Sequence, residues 1–410
     1  MQFCPPNFFC GKGAMKKKIV VAGGSFGGLT AALEVKRLAG DSVEVILIGA
    51  DKDFVFLPSL PWVIVGSRRP ADITLGVADI LRPRGITFVQ ASVTEVLPAE
   101  LKVRTATGEY PYDYLVIATG PHLACDEIPG LGPRKGHTHC TFTLDYAIRS
   151  REAWLRLLDE PGPVVLGSTQ LASCFGPYYE LAFEMDWELR KRKMRHKVPI
   201  TYLTSEPHLG HMGIGGLGKS RRFLEDEFAE LDIKVVTNQA IEEITPGTIR
   251  LAGGGTIPFK LAMLAPPFKG VPGVASLGNP RGFIPADQHF RHPRHANIYT
   301  VGVAMALAPL EPTPVPTGVP KTGFMTVRMA KAAAANIVAD LRSLPLPRTS
   351  ELSVTCMLDM GRTAALMVAD PLLPPRQKSY IKKALWAKWA KIQFETYFLW
   401  KMRHGYTRLP

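Results

Sequence analysis

The chain has 410 residues, of which 46% are hydrophobic and 21% are charged, and its formal net charge is +13. This length is enough for two or three domains with substantial cores, and six cysteines are too few for a disulfide framework. No apolar run reaches the roughly 18 residues of a membrane-spanning helix and no nucleic-acid-binding motif is present, so we predict that the basic charge serves an anionic substrate or membrane surface rather than nucleic acid.

Residues 1–14 are predicted to be an extension, because Lys16–Lys18 followed by the apolar Ile19–Val21 is a more natural start of a domain. The extension lacks a basic region followed by an apolar core, so it does not have the pattern of a signal peptide. Its two cysteines, Cys4 and Cys10, are predicted to have no role in the chemistry.

The segment Ile19–Ala32 has the pattern of a dinucleotide-binding βαβ unit. An apolar strand turns through glycines into a helix, whose free N–H groups and dipole favour a pyrophosphate. Gly23 and Gly28 are the outer glycines of the G-x-G-x-x-G frame, and Ser25 takes the middle position. A second apolar strand follows at the expected interval and leads to Asp51, whose carboxylate can accept hydrogen bonds from ribose hydroxyls. This order of elements predicts a bound dinucleotide.

Two later segments favour FAD over NAD. Phe54–Ser59 lies just past the second strand, and Tyr114–Pro121 is a strand that closes on a turn of small residues, where the backbone can press against an extended cofactor. A strand at Ala296–Gly302 returns to the same domain, so a second nucleotide-like fold at about residues 155–275 is inserted into the first. The predicted fold is therefore α/β, with two Rossmann-like dinucleotide-binding domains.

The second fold opens at Val164–Met185 like a nucleotide site, but its turn is not rich in glycine. After Gly167, side chains such as Ser168 and Gln170 fill the space that a phosphate needs, and Cys174 stands at the turn. We interpret this segment as a βαβ unit that has lost a nucleotide and gained a thiol. A buried, inert cysteine is the alternative, since free cysteines are commonly buried.

The carboxyl end is predicted to be an amphipathic helical membrane-binding region. Tyr380–Met402 contains no proline or glycine and is rich in aromatic residues and lysines, a composition that suits a membrane interface. The residues that recur at helical spacing are Leu385, Trp386, Trp389, Ile392, Thr396 and Leu399. One or two helices packed on the protein's own core are the alternative.

After Met15 the chain resembles sulfide:quinone oxidoreductases, which belong to the superfamily of flavoproteins with two dinucleotide folds. The matching stretches are CFGPYYE (174–180), SEPHLGHMGIGG (205–216), PPFKGV (266–271), EPTPVPTGVPKTGFM (311–325), VTCMLDMG (354–361) and FETYFLWKMRHG (394–405). The resemblance implies an FAD enzyme that oxidises sulfide to polysulfide or elemental sulfur and reduces a membrane quinone. It also implies a peripheral, monotopic protein at the cell membrane; the membrane face and the oligomeric state stay open, a homo-oligomer included.

The resemblance further implies three redox cysteines. Cys174 matches the cysteine next to the flavin, Cys356 matches its partner on the same flavin face, and Cys140 matches a third that lies towards solvent; Cys125 fits no family position and is predicted to be structural. Hydrosulfide attack on an oxidised pair leaves a persulfide on one cysteine and a thiolate on the other. We assign the first persulfide to Cys174 and electron transfer to the flavin to Cys356, with the reverse assignment open.

Other positions follow from the same resemblance. Glu180 and His211 match polar residues near the family's sulfide pocket and are predicted to exchange protons; a surface carboxylate and a structural loop histidine are the alternatives. Lys321, at a predicted helix start, would stabilise the anionic reduced flavin. The predicted quinone contacts are Lys391, Phe394 and Met357, the last at a position where an aromatic residue often lies.

The predicted FAD site draws on most of the first domain, and no metal site is predicted. Its residues are Gly23, Ser25, Phe26, Gly28, Ala50, Asp51, Pro58, Ser59, Val93, Ala118, Thr119, Gly120, Gly302, Gly318, Lys321 and Thr322. Gly302 is followed by Val303 where many relatives have Asp, so backbone must bind the cofactor there. The predicted domains are the extension (1–14), the FAD-binding domain (15–154 and 276–349), the second Rossmann-like domain (155–275) and the region facing quinone and membrane (350–410).

Three other functions are weighed against this one. A type II NADH:quinone oxidoreductase would need a glycine-rich turn at Gly167–Gly176, although Glu206 has the position of a ribose-binding acid. A sulfide dehydrogenase that reduces a cytochrome c subunit would be exported and would lack the aromatic, basic tail. A flavin-bearing binding protein without turnover would not need the three cysteines.

Overall fold

The structure, a computed structural model, describes residues 15–347 and 352–408. The predicted extension with Cys4 and Cys10 lies outside these ranges, as does the predicted boundary between residues 349 and 350.

The elements follow one another in three groups. The first group is β1 (Lys17–Ala22), α1 (Phe26–Ala39), β2 (Val43–Gly49), β3 (Asp53–Val55), α2 (Leu60–Val65), β4 (Thr74–Gly76), α3 (Val77–Leu81), β5 (Thr87–Gln90), β6 (Val93–Leu97), β7 (Lys102–Thr105), β8 (Gly108–Pro111), β9 (Tyr114–Ile117), β10 (Pro121–Leu123) and α4 (Leu144–Asp159). The second is β11 (Val164–Ser168), α5 (Gly176–Lys191), β12 (Ile200–Thr204), α6 (Ser220–Glu230), β13 (Ile233–Val236), β14 (Ile241–Thr245), β15 (Thr248–Leu251), β16 (Thr256–Pro258), β17 (Leu261–Ala265) and β18 (Phe268–Gly270). The third is β19 (Arg291–His292), β20 (His295–Thr300), α7 (Gly323–Leu341), β21 (Val354–Asp359), β22 (Ala364–Asp370), β23 (Lys378–Ala384) and α8 (Leu385–Arg403).

The first sheet has the strand order β19-β20-β9-β1-β2-β5. β1 pairs in parallel with β2 and β9, and its residues Ile19–Ala22 are fully buried, as expected for a strand covered on both faces. β20 joins the sheet in parallel with β9 after the whole second fold has intervened. This pairing confirms the prediction that one Rossmann-like fold is inserted into the other.

The second sheet has the order β13-β12-β11-β17, with all strands parallel. Each fold also carries a three-stranded antiparallel sheet, β6-β7-β8 before β9 and β14-β15-β16 before β17. The two folds are thus built alike, and a short antiparallel ladder between β10 and β18 connects them. Helix α4 runs through the predicted boundary between residues 154 and 155.

The carboxyl end contains a three-stranded antiparallel sheet, β21-β22-β23, as well as the predicted helix. Tyr380 lies in β23 opposite Val368 of β22, and the helix begins only at Leu385. The lack of proline and glycine in this segment did not distinguish a strand from a helix, because pairing with β22 determines its conformation.

Helix α8 buries polar residues and exposes aromatic ones. Its buried face includes Lys391 and Glu395, whereas Trp389 is 69% exposed and Leu385 and Trp386 are exposed beside it. The exposed tryptophans therefore do not pack on the protein's own core. Within the described ranges, no helix has both the length and the apolar character that crossing a bilayer requires.

Candidate active site

The turn after β1 forms a cradle of closely packed backbone. Gly23 has φ +128°, and a Cβ there would collide with the Ala118 carbonyl. A Cβ on Gly28 would collide with the Gly23 carbonyl, so the start of α1 can approach the turn only with glycine at this position. Ser25 is the N-cap of α1 and makes no side-chain capping hydrogen bond. The first N–H groups of α1 are thus directed at an anion-binding position.

Residues from the neighbouring strands reach the same edge of the sheet. Ala50 and Asp51 are exposed directly after β2. The Ala91 N–H donates to the Gly49 carbonyl at 3.0 Å and brings Val93, the first residue of β6, to this edge. The predicted contacts therefore follow the carboxyl ends of the strands, where dinucleotides bind in open α/β sheets.

The turn after β9 holds a polar group without a partner. Thr119 Oγ1 is buried and has no hydrogen-bond partner among the described residues. Gly120 follows with φ +70°, and Gly302 after β20 has φ +69°. Buried hydroxyl groups in native proteins normally have a partner. An unpartnered hydroxyl over a glycine cradle therefore fits the polar part of an FAD.

The start of α7 packs against the start of α1, beside the glycine turn after β1. The Thr322 hydroxyl caps the helix by accepting from the Met325 N–H at 3.3 Å. A Cβ on Gly323 would lie 3.1 Å from the ring of Phe26, so α7 begins against the first residue of α1. Burial lowers the pKa of Lys321 to about 8, and its Nζ lies 5.4 Å from the centre of the Phe283 ring.

Backbone hydrogen bonds attach the segment before α7 to the turn that carries Cys174. The Leu171 N–H donates to the Pro316 carbonyl at 2.7 Å, and the Gly318 N–H donates to the Ala172 carbonyl at 2.8 Å. The predicted flavin-binding segment and the predicted redox cysteine therefore belong to one loop cluster.

Cys174 and Cys356 approach each other from different elements. Cys174 precedes α5, and Cys356 lies on β21 opposite Met367; both side chains are half-buried free thiols. Burial, followed by the charges of Cys356 and Cys140, raises the pKa of Cys174 to about 12. Burial also raises the pKa of Cys356, but the Lys391 ammonium opposes this shift. Of the two thiols, Cys356 thus has a cation that favours its thiolate.

The family resemblance implied that Cys140 lies towards solvent, but the structure places it in the interior. It is only 1% exposed, and burial raises its pKa to about 12. The Tyr178 hydroxyl lies near the thiol and accepts from the Thr141 N–H at 3.3 Å, and the Ser150 hydroxyl donates to the Cys140 carbonyl at 3.1 Å. Tyr178 lies one turn after Cys174 on α5, and the sequence analysis missed it. Cys125 packs against Gly132, as expected for a structural cysteine.

Glu180 is buried in the protein rather than exposed on the helix surface. It accepts hydrogen bonds from Lys391 Nζ and, at 3.1 Å, from the Asp359 N–H. Burial raises the pKa of Glu180 to about 7 although the Lys391 charge acts in the opposite direction. Burial alone would lower the pKa of Lys391, but the charges of Glu180 and Glu184 raise it. The pair can therefore hold a proton close to neutral pH.

Three further charged residues surround this pair, and the sequence analysis missed all of them. Lys388 Nζ lies 3.1 Å from Asp359 Oδ1, the Trp62 indole N–H donates to Asp359 Oδ2 at 2.9 Å, and Glu184 is buried one turn after Glu180. We call this set the carboxylate–lysine cluster; it consists of Glu180, Glu184, Asp359, Lys388 and Lys391. In the sequence, this cluster is visible only as two glutamates four residues apart and two lysines three residues apart, and such spacing usually indicates a solvated helix face.

His211 is buried in the same loop cluster as Cys174. Its Nδ1 accepts from the Gly213 N–H at 3.2 Å, and its Nε2 lies 3.5 Å from Glu311 Oε1. Burial, followed by the charge of His208, lowers its pKa. A Cβ on Gly213 would lie 3.3 Å from the ring of Phe175, which follows Cys174 directly.

The crevice of the second fold is filled by protein side chains. Glu206 is fully buried and accepts from the Tyr179 hydroxyl at 2.8 Å, the Thr204 hydroxyl at 2.9 Å and the Met212 N–H at 2.7 Å. Ser168 Oγ lies 2.8 Å from Thr204 Oγ1, so a hydrogen bond joins the carboxyl ends of β11 and β12. Glu206 is therefore occupied by internal donors and is not free to bind a ribose.

The predicted quinone residues lie on the buried side of α8 and on β21. Phe394 is half-buried at one end of a phenylalanine cluster, and Met357 is half-buried next to Cys356. This phenylalanine cluster consists of Phe26, Phe54, Phe56, Phe394 and Phe398. Pro58 is exposed, whereas the Ser59 hydroxyl donates to Glu395 of α8. The predicted flavin and quinone residues thus meet at one interface between α1, α2 and α8.

Comparison with known proteins identifies the family. The pyridine nucleotide-disulphide oxidoreductase model matches residues 17–334. The sulfide-quinone reductase of Aquifex aeolicus is 40% identical over 401 residues, which are 95% of this chain and 92% of that protein. The mitochondrial sulfide:quinone oxidoreductase of Dictyostelium discoideum is 26% identical over 83% of this chain and 74% of its own length.

A solved structure agrees with the sequence comparison. The X-ray structure of the sulfide:quinone oxidoreductase from A. aeolicus matches with a TM-score of 0.91 at 40% identity, and covers 95% of this chain and 92% of that one. The chain therefore belongs to the pyridine nucleotide-disulphide oxidoreductase family and, within it, to the sulfide-quinone reductases.

Proposed function

We propose that this protein oxidises hydrosulfide at Cys174 and Cys356 and passes the electrons through FAD to a quinone, releasing polysulfide or elemental sulfur. The observation that carries this proposal is the position of Cys174. Its turn is attached by backbone hydrogen bonds to the segment before α7, in a fold whose own nucleotide crevice is closed by Glu206 and Thr204. A thiol thus stands beside the predicted flavin site where related folds hold a second nucleotide.

The reaction begins with an oxidised Cys174–Cys356 pair, bridged directly or through sulfur. Hydrosulfide attacks the Cys174 sulfur, the bridging S–S bond breaks, and Cys356 leaves as a thiolate. Lys391 supports this direction, because its charge opposes the burial that raises the pKa of Cys356. The neighbouring thiols only raise the pKa of Cys174, which therefore carries the persulfide. A second hydrosulfide then takes the sulfur from Cys174.

Bound FAD would supply the two-electron oxidation that returns the cysteine pair to its starting state. Its predicted contacts at the start of α7 are Lys321 and the first N–H groups of the helix, which favour negative charge on the reduced cofactor. Glu180 accepts a hydrogen bond from the predicted quinone contact Lys391 and is the proposed group that exchanges protons there, because burial raises its pKa to about 7. His211 is the other proposed proton-exchanging group and lies in the loop where Gly213 adjoins Phe175, the residue after Cys174.

Flavin absorbance under anaerobic conditions tests donor and acceptor together. We expect hydrosulfide to bleach the visible flavin band, NADH to leave it unchanged, and a short-chain quinone to restore it. Bleaching by NADH without bleaching by hydrosulfide would contradict the proposal and favour an NADH dehydrogenase.

We further propose that α8 places the protein on a lipid bilayer surface as a peripheral, monotopic protein of the cell membrane. Leu385, Trp386 and Trp389 are exposed apolar side chains on one helix, and Lys382 of β23 precedes them. Tryptophan and lysine together favour the headgroup region of an anionic bilayer.

Vesicle sedimentation tests the membrane proposal. Replacing Trp386 and Trp389 by serine should weaken binding to anionic vesicles by a factor on the order of a thousand, because each buried tryptophan contributes on the order of 2 kcal/mol and every 1.4 kcal/mol is tenfold. Leu155→Ser, which alters an exposed apolar residue on α4, is the matched control. Equal vesicle binding by the double variant and the control would refute a membrane role for α8.

A further inference from the structure

The carboxylate–lysine cluster contains more negative than positive groups. Helix α5 contributes Glu180 and Glu184, β21 ends in Asp359, and α8 contributes Lys388 and Lys391. If all five were ionised, one negative charge would be left unbalanced in the interior. An uncompensated buried charge is strongly unfavourable, so one of the three carboxyl groups has to hold a proton.

The hydrogen bonds identify Glu184 as that group. Glu180 accepts from Lys391, and Asp359 accepts from Lys388 and Trp62. In contrast, Glu184 is 4% exposed, and its Oε2 has no hydrogen-bond partner among the described residues. Burial, followed by the negative charges of Glu180 and Asp359, raises its pKa. With a proton on Glu184, the remaining four charges balance.

The cluster connects the redox site with the protein surface. At its inner end, the charges of Lys391 and Glu180 act on Cys356, and Lys391 lies one turn from the predicted quinone contact Phe394. At its outer end, the Lys388 side chain is 31% exposed while its partner Asp359 is fully buried. Lys388 is also next in sequence to the exposed Trp389, so the outer end lies at the hydrated headgroup region that we assign to α8.

We propose that Glu184 stores a proton for quinone reduction and that the Lys388–Asp359 pair is the entrance through which this proton is replaced from water. The inference rests on the function proposed above. Reduction of a quinone to a quinol takes two electrons and two protons. The electrons come from hydrosulfide through FAD, and oxidation of one hydrosulfide to sulfane sulfur releases one proton. The second proton must therefore come from water.

The charges of the cluster allow Glu184 to release its proton and then favour its replacement. Glu184 gives its proton through Glu180 to the quinone oxygen and becomes a carboxylate. The cluster then carries one unbalanced negative charge, which draws a proton inwards. Lys388 donates an ammonium proton to Asp359, from which it passes to the Glu184 carboxylate, and the neutral Lys388 amine then takes another proton from water. Each turnover thus restores the neutral cluster.

The variant Glu184→Gln tests the store, because the amide has the shape of the protonated acid but cannot release a proton. Glu188→Gln is the matched control, since Glu188 lies one turn further along α5 and pairs with Lys191 on the surface. Stopped-flow measurements on FAD-loaded protein would follow flavin reduction by hydrosulfide and flavin reoxidation by a short-chain quinone separately. We expect Glu184→Gln to lower the ratio of reoxidation to reduction rates at least about tenfold, more steeply as the pH rises, because proton transfer by a positioned acid contributes at least that much.

Infrared spectroscopy of the protein gives a second readout that does not depend on turnover. The infrared difference spectrum between Glu188→Gln and Glu184→Gln near neutral pH should contain the carbonyl stretch of one protonated carboxylic acid, because other protonated carboxyl groups, such as Glu206, are present in both variants and cancel. Absence of this band from the difference spectrum, or a reoxidation rate and pH profile in Glu184→Gln equal to those of the control, would overturn the proposal.

Lys388→Met tests the entrance without altering a fully buried residue. We expect it to slow quinone-dependent reoxidation increasingly with pH while the infrared band of Glu184 is retained. An unchanged pH profile in this variant would refute the entrance. Failure of the original protein to react with hydrosulfide would instead contradict the proposed function, so the two failures are distinguishable.

Discussion

The two Rossmann-like folds of this protein share the same order of four parallel strands, β9-β1-β2-β5 and β17-β11-β12-β13, and differ in the residues that follow these strands. In the first fold, Gly23 and Gly28 keep side chains out of the turn, and Thr119 Oγ1 has no hydrogen-bond partner among the residues that the structure describes. In the second, the corresponding crevice is closed by hydrogen bonds between Ser168, Thr204 and Glu206. The sheet order therefore does not decide whether a nucleotide binds; a few side chains at the strand ends do.

The closed crevice also explains how a redox cysteine fits at this position. Because hydrogen-bonded side chains fill this crevice, the chain before α5 can carry Cys174 towards the segment that precedes α7. Cys356 comes from β21, outside both folds. The proposed reactive pair can therefore form only when the inserted fold and the carboxyl-terminal sheet pack together.

Removing either thiol tests whether the second fold has exchanged a nucleotide for a cysteine. Cys174→Ser and Cys356→Ser should each abolish hydrosulfide-dependent quinone reduction, because a serine hydroxyl can form neither the disulfide nor the persulfide. Flavin absorbance of the purified variants should show that FAD is still bound. Undiminished turnover in either variant would show that the reaction does not pass through this pair.

Substitution of a glycine tests the first fold in the same way. Gly28→Ala should lose bound FAD, because the new Cβ would collide with the Gly23 carbonyl. Gly176→Ala is the matched control at the start of α5, since a Cβ there meets no atom within 4 Å. The ratio of flavin to protein after purification measures the effect. Equal FAD content in the two variants would mean that the turn after β1 does not hold the cofactor.

Glu206 predicts a dependence of stability on pH that belongs to the second fold. Burial raises its pKa to about 7, above the value of about 4.5 that the residue has in the unfolded chain. The unfolded state therefore loses this proton first, and the protein should lose stability as the pH rises from about 4.5 to about 7. For Glu206 alone this amounts to on the order of 3 kcal/mol.

The variant Glu206→Gln isolates that contribution. Urea unfolding at several pH values should show a smaller loss of stability between pH 5 and 7 than in the original protein, because glutamine does not titrate. Parallel curves for the two proteins would mean that Glu206 is not buried as a protonated acid. In neither protein should NADH bleach the flavin, since the side chain that fills the crevice is still present.

Residues that are close in the sequence were predicted more successfully than residues that meet only in the folded chain. The glycine turn and the turn of Cys174 are each local, so the pattern of residues was sufficient. The contact between Lys388 and Asp359 joins α8 to the end of β21, and nothing in either segment indicates the other. The strand at Tyr380 was missed for the same reason, because its partner Val368 lies in a different segment.

Substitution of Cys140 should have the smallest effect on turnover, because this cysteine is buried where the sequence predicted a position near solvent. The family resemblance implied a thiol near solvent, but the Tyr178 hydroxyl and the surrounding core enclose it. Because burial disfavours the Cys140 thiolate, we expect Cys140→Ser to reduce hydrosulfide-dependent turnover only a few-fold and to leave FAD bound. Tyr178→Phe is the companion variant, because it removes the hydroxyl near the thiol that accepts from the Thr141 N–H. If Cys140 acts only through packing, both variants should lower the melting temperature while the rate of flavin reduction by hydrosulfide stays close to that of the original protein. Complete loss of flavin reduction in Cys140→Ser would instead place Cys140 with Cys174 and Cys356 in the reaction, and would make Tyr178 the residue that controls access to it.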